Sequence, residues 1–198
     1  LYYSVFKPSD NATWYGNIKR YRVAGSEIID AKDDPAVDPA TGFFADNARS
    51  FWTLDDEAPD GDNIIKGGAA SRLTLNRKVT SYLGSKSLMA AENRITESNS
   101  SLDRALLQLP YSVDPSEYTA VLQWARGVDV KDEDGDGSKT DARHYMEDPL
   151  HSRPALVTYD FGADGSNQKS AIFVATNSGV LHAFDTDESN PVEHFAFI

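Results

Sequence analysis

Between Asp132 and Asp141 the chain reads DEDGDGSKTD, with acids at Asp132, Asp134 and Asp136, glycines at 135 and 137, and a closing acid at Asp141. Carboxylates on alternate residues of a bent loop can turn their oxygens toward one centre. That is the chemistry a hard cation needs, since calcium takes about six to eight oxygen ligands. Counting Asp132 as position 1, the side chains fall at EF-hand positions 1, 3 and 5, Gly137 at position 6 permits the sharp turn, and Ser138 at position 7 supplies a backbone carbonyl. Position 12 of that pattern, a bidentate glutamate, is Arg143 here, and no second helix follows. The last ligand must then come from elsewhere. Asp141 is the preferred candidate, with Thr140 bonding directly or through water, and Asp129 is the lesser alternative. The competing reading is a solvated acidic loop kept for solubility. Against it, three acids at strict i, i+2, i+4 spacing repel one another unless a cation lies between them. With protein oxygens as ligands and no catalytic partner nearby, the expected role is a structural or regulatory clamp.

Other residue types that could do chemistry are less well arranged. His144 and His151 flank Asp148, and Ser152 is adjacent, but neither zinc-site nor triad spacing is met. GxSxG, HExxH and Walker patterns are absent, so no enzyme activity is expected. The HSRP run reads instead as the lead-in to a strand. His182 alternates with Val180 and Phe184, which places it on one strand face as a packed histidine. Asp185 reads as a turn cap. Asn11-Ala12-Thr13 matches a glycosylation sequon, a pattern that arises often by chance.

The elements that would position the acidic loop are legible on both sides. Asp114 as N-cap, Pro115 at the first helical position, Glu117 three residues after the cap and Gly127 as stop predict a helix over 115–126. Its apolar face is Tyr118, Val121, Leu122 and Ala125. After the loop, PALVTY (154–159), SAIFVAT (170–176), GVLHAFD (179–185) and HFAFI (194–198) read as short strands, with Asn177-Ser178-Gly179 as a hairpin turn. Four strands in so short a span fit one propeller blade. Earlier, TWYGNIKRYRV (13–23) predicts a strand interrupted at Gly16. The Asp/Pro/Gly-rich stretches 30–42 and 55–68 predict surface loops, the first pinned by Phe43-Phe44 and Phe51-Trp52, with a short helix starting near Ala69-Ala70. Two short strands are expected around 73–83 and 94–96. The organisation read from this is 1–126 with long insertions and a helix, 127–150 as calcium loop and connection, and 151–198 as blade strands.

Composition sets the outer limits. Acids number 31 against 19 bases, a net charge of −12, which repels phosphate backbones and anionic lipids and argues against nucleic-acid binding. The same field concentrates cations. With 40% hydrophobic residues, nine Tyr, nine Phe and three Trp, the 198-residue chain can bury a core. There is no cysteine, hence no disulfide or thiolate site, and no apolar run long enough to span a bilayer. The strand-like runs LYYSVF and HFAFI at the two ends suggest a fragment of a longer chain.

Several segments together resemble one family. WYGNIKRY (14–21), IIDAKDDPAVDPATGFF (28–44), WARGVD (124–129), the acidic loop, DPLHSRP (148–154) and ATNSGVLHAFD (175–185) are similar, in order and over nearly the whole chain, to the C-terminal β-propeller of the PilC/PilY-type tip proteins of bacterial type IV pili. The resemblance implies a mainly β fold: the opening part of a modified, quinoprotein-like β-propeller with one capped helix and long loops, the remaining blades lying outside this chain. It implies a secreted, extracellular protein at the pilus tip, partnered by minor pilins and by host or abiotic surface ligands, acting in pilus assembly, retraction control and adhesion. It implies bound calcium (Ca2+), held by Asp132, Asp134, Asp136 and the Ser138 carbonyl with a terminal ligand at Thr140 or Asp141, and linked to switching between pilus extension and retraction. ATNSGVLHAFD is also shared with pyrroloquinoline quinone dehydrogenases. That rival needs a central site with a catalytic acid and a stacked tryptophan, neither identifiable here. A metal-free propeller scaffold for protein binding is the third reading.

Overall fold

The computed structural model describes residues 1–10, 13–54, 58–159, 168–188 and 190–198. The sequon asparagine Asn11 and the acids at 55–57 of the second acidic stretch lie outside them. The fold is mainly β with one α-helix and several sheets, none closed. Among the described residues no helix is long and apolar enough to cross a membrane. Contacts divide the chain into two compact units, one of residues 1–73 and 144–193, the other of 74–143 and 194–198.

In the first unit, β1 (Tyr2–Lys7) and β2 (Tyr15–Arg20) form an antiparallel pair, and β2 also carries the short β6 (Met146–Glu147) on its other edge. The expected interruption at Gly16 does not occur. Gly16 pairs with Phe6 on one side and Met146 on the other, and a Cβ there would sit 2.6 Å from the Glu147 carbonyl oxygen. Strand β2 ends before Tyr21, and β3 (Arg22–Ala24) folds back on β4 (Glu27–Ile29).

Three of the expected blade strands are present in this unit or at its edge: β7 (Ala155–Tyr159), β8 (Lys169–Ala175) and β9 (Leu181–Asp185) run antiparallel in that order. The Asn177-Ser178-Gly179 turn joins β8 to β9, with the Thr176 N–H donating to Val180 at 2.8 Å. The anticipated cap at Asp185 also forms, its carboxylate accepting the Asp187 N–H.

The apolar faces meet around Trp52, which is fully buried with Ile18, Leu73, Met146, Ile172, Val174 and Phe184. Its indole N–H, which burial would otherwise strand, donates to the Asp187 carbonyl at 2.7 Å. A smaller cluster gathers Tyr21, Ala36 and Ala48, with Phe44 stacked on Tyr21 at 4.5 Å between ring centroids. Phe43, expected to anchor beside Phe44, is instead 75% exposed. Phe44 bridges Val37 in extended backbone, where neighbouring side chains point to opposite sides.

In the second unit the region 73–83 supplies only β5 (Val79–Thr80), which pairs in parallel with β10 (Glu193–Phe197), while Arg94 makes a single bridge to Thr80. Few apolar residues fall in sequence register there, and side-chain hydrogen bonds take over. Asn93, fully buried, holds the 83–87 loop by accepting from the Leu83 N–H and donating to the Ser85 and Ser87 carbonyls. The helix α1 (Pro115–Ala125) lies one residue short of the predicted 115–126. Asp114 caps it by accepting the Ser116 N–H at 2.8 Å, and Gly127, at φ 89°, takes the left-handed conformation that ends it.

Candidate metal centre

The loop begins where α1 stops. The Arg143 N–H donates to the Gly127 carbonyl at 2.7 Å, Val128 bridges Ala142, and the Asp129 N–H donates to the Asp141 carbonyl at 3.0 Å. Helix end and loop end are thereby tied at one base, and residues 129–141 form the excursion between them.

Inside it, Asp129 is almost completely buried and its carboxylate accepts the Glu133 N–H with both oxygens at 2.9 Å. Through those bonds Asp129 braces the loop from inside. The backbone then turns through left-handed residues at Asp132 (φ 54°), Gly135 (φ 76°) and Gly137 (φ 90°). Gly137 has open space where a Cβ would stand, so its requirement is conformational and not steric.

The three alternating acids are oriented by the loop's own N–H groups. Asp132 Oδ1 accepts from Gly137 at 3.0 Å, Asp134 Oδ1 from Asp136 at 3.1 Å, and Asp136 Oδ1 from Ser138 at 2.6 Å. One oxygen of each carboxylate is held by a backbone N–H of the loop. One oxygen from each of Asp132, Asp134 and Asp136 can lie within 4.8 Å of the other two. At such separations in a partly exposed loop, three negative charges repel by about 1–4 kcal/mol per pair, and a divalent ion reverses the sign. The donor set is all oxygen, which suits calcium or magnesium and not a soft metal.

Among the described residues this is the one group of three or more acids, histidines or cysteines so gathered. Asp141 stands outside it. Its Oδ1 is buried without a hydrogen-bond donor among the described residues, an acceptor that a cation or water would satisfy. Ser138 is half-buried and its hydroxyl accepts the Thr140 N–H at 3.4 Å, while Thr140 itself is exposed.

Residues between the ligands do a second job that the acid spacing does not reveal. The Trp124 indole N–H, on the last turn of α1, donates to Glu133 Oε1 at 3.3 Å, and the Arg143 guanidinium lies 4.2 Å from the centre of the Trp124 ring. Arg143 Nη1 is 3.7 Å from Glu133 Oε2, and Lys131 Nζ lies 5.4 Å from the same ring. Side chains 131 and 133 thus reach back to the helix while 132 and 134 face the cluster. The only sequence signal for this was period-two alternation itself. It also explains the departure at position 12: Arg143 is not a ligand but a buried brace. Arg143→Met is expected to lower unfolding free energy by about 2 kcal/mol, from a desolvated cation–π contact and a lost ion pair, with Arg143→Lys recovering less than half. Urea denaturation of the three proteins measures it.

Two of the histidines considered above have partners at strand ends and in the core. His151 Nδ1 is 3.1 Å from Asn177 Oδ1, Asn177 Nδ2 donates to Asp148 Oδ1 at 2.5 Å, and the Ser152 hydroxyl accepts the Ala175 N–H. This is bracing at the strand ends. His182 is buried, stacked on Phe184 and paired with Glu193 through Nδ1 at 2.7 Å. No family model, characterised protein or solved structure matches this chain.

Proposed function

We propose that this chain is a calcium-binding, non-enzymatic part of a type IV pilus tip adhesin, acting outside the cell in pilus biogenesis and surface attachment. The observation that carries the metal half of this reading is the convergence of Asp132, Asp134 and Asp136 on a volume that one ion can fill. The pilus half rests on the segments from Trp14 to Asp185 that resemble the PilC/PilY-type proteins. In this reading the short antiparallel strands β7 to β9 belong to the opening blade of a quinoprotein-like propeller, and minor pilins and a host or abiotic surface are the partners.

Calcium supplies a fixed positive charge at the loop. Asp132, Asp134, Asp136 and the Ser138 carbonyl hold it, with Asp141 or Thr140 completing the set. Fixing Asp132 and Asp134 also fixes Lys131 and Glu133, and through them the end of α1. The ion therefore converts a self-repelling loop into a rigid one, which is how its presence can switch a surface between partners engaged in pilus extension and retraction.

Calorimetric titration of the protein with calcium and with magnesium tests the metal. The expected result is a single site that prefers calcium, abolished in Asp134→Ala and in Asp136→Ala. Equal heats in wild type and both variants would end the proposal.

A further inference from the structure

Among the described residues the most completely buried ion pair belongs to the first unit. Lys19, on β2, and Asp60 have side chains 1% and 0% exposed, with Nζ 3.0 Å from Oδ2. The amine donates to three backbone carbonyls, Asp60 at 3.1 Å, Gly61 at 3.0 Å and Asn63 at 2.7 Å. An ammonium has three hydrogens, and these carbonyls use them. Asp60 Oδ2 is buried against the nitrogen and, that ion pair aside, has no hydrogen-bond partner among the described residues, whereas Oδ1 accepts the Ser50 N–H at 2.7 Å.

The surroundings disfavour charge on the amine. Burial, the largest influence, pulls the Lys19 pKa down, with the Asp60 carboxylate opposing it. Tyr21 is also buried, with its hydroxyl unpartnered among the described residues, and burial followed by the Asp60 and Asp30 charges keeps the phenol protonated. A desolvated amine, a carboxyl group in contact with it and a donor already on the far oxygen are the parts of an amide-forming site.

We propose that Lys19 and Asp60 condense into an intramolecular amide that joins β2 to the 58–68 loop. Transfer of one proton from Nζ to Oδ2 gives a neutral amine, the form that burial favours, and a carboxylic acid. The nitrogen lone pair then forms a bond to the Asp60 carboxyl carbon, while the Ser50 N–H stabilises the negative charge developing on Oδ1. The bond from that carbon to Oδ2 breaks, and Oδ2 leaves as water with a second proton from nitrogen. Ammonium and carboxylate become amide and water, with no oxidant or co-reactant.

The product fits the hydrogen bonds already present. Its oxygen keeps the Ser50 N–H, its single N–H keeps the Asn63 carbonyl, and the unpartnered oxygen departs. The Asp60 carbonyl retains the Asn63 N–H at 2.8 Å, and the Gly61 carbonyl gives up the amine as donor. The bond spans 41 residues in a chain that has no cysteine to cross-link it otherwise.

Intact mass spectrometry of the purified, denatured wild-type protein tests this without requiring any variant to fold. The expected mass is about 18 Da, one water, below that of the sequence, and a protease digest should contain a branched peptide joining Lys19 to Asp60. Lys19→Met should show the full sequence mass. A wild-type protein at full mass overturns the proposal. So does a loss of one water that maps to a linear peptide, as a succinimide at Asp60-Gly61 would.

Discussion

Replacing Asn17 by alanine is expected to lower the unfolding free energy by about 3–5 kcal/mol, because several buried backbone groups lose their partner at once and each costs about 1–3 kcal/mol when stranded. Asn17 is fully buried on β2. Its Nδ2 donates to the carbonyls of Ile64 at 3.0 Å and Gly67 at 2.9 Å, and its Oδ1 accepts the N–H groups of Ala70 at 3.0 Å and Ile18 at 2.8 Å. One side chain therefore substitutes for a strand in holding residues 64–70 against β2. Asn17→Asp keeps the acceptor but removes both donors and buries a charge, so it should be no better tolerated than alanine. Denaturant titration of the three proteins decides the matter. A loss below about 1 kcal/mol in the alanine variant would mean that water satisfies the 64–70 backbone, and that the side chain is not its organiser.

The second large effect is thermal. Calcium at one hundred times its dissociation constant should stabilise wild type by about 2.7 kcal/mol, which for a chain of this size raises Tm by about 5–10 °C. The Asp134→Ala/Asp136→Ala variant should show no calcium-dependent shift. Without calcium the same variant should be at least as stable as wild type, since removing two of three mutually repelling carboxylates relieves the loop. That reversal separates a metal site from an ordinary set of surface acids. A scan in which wild type with calcium, wild type with chelator and the variant melt together would remove the clamp. A variant that melts well below chelated wild type would show instead that the Asp134 and Asp136 side chains hold the turn through their hydrogen bonds alone.

Both effects rest on polar side chains that organise loops, and these differ sharply in how far the sequence exposes them. The acidic loop was readable because its acids are local: alternation and glycine position are properties of ten consecutive residues. The helix was equally readable, since Asp114, Pro115 and Gly127 act on their own neighbours. The hairpin at Asn177-Ser178-Gly179 and the strands beside it followed from short apolar runs broken by turn residues. Phe43 and Gly16 show the limit of the same reasoning. Whether Phe43 or Phe44 is the anchor depends on which face of an extended segment meets Tyr21, and Gly16 continues a strand because the chain at Glu147 and Asp148 packs where a side chain would have been.

The sequence alone determined the oxygen-rich loop, its bracketing by a capped helix, the short-strand character of the C-terminal third and a charge balance that favours cations over phosphates. Only the tertiary structure decided that Asp129 braces the turn, that Arg143 and Glu133 lock onto Trp124, and that Lys19 meets Asp60 out of water. The division has one physical cause. Caps, turns and alternating acids act across a few bonds, whereas burial and pairing of Lys19, Asn17 or Trp52 depend on segments tens of residues away whose approach no local pattern encodes.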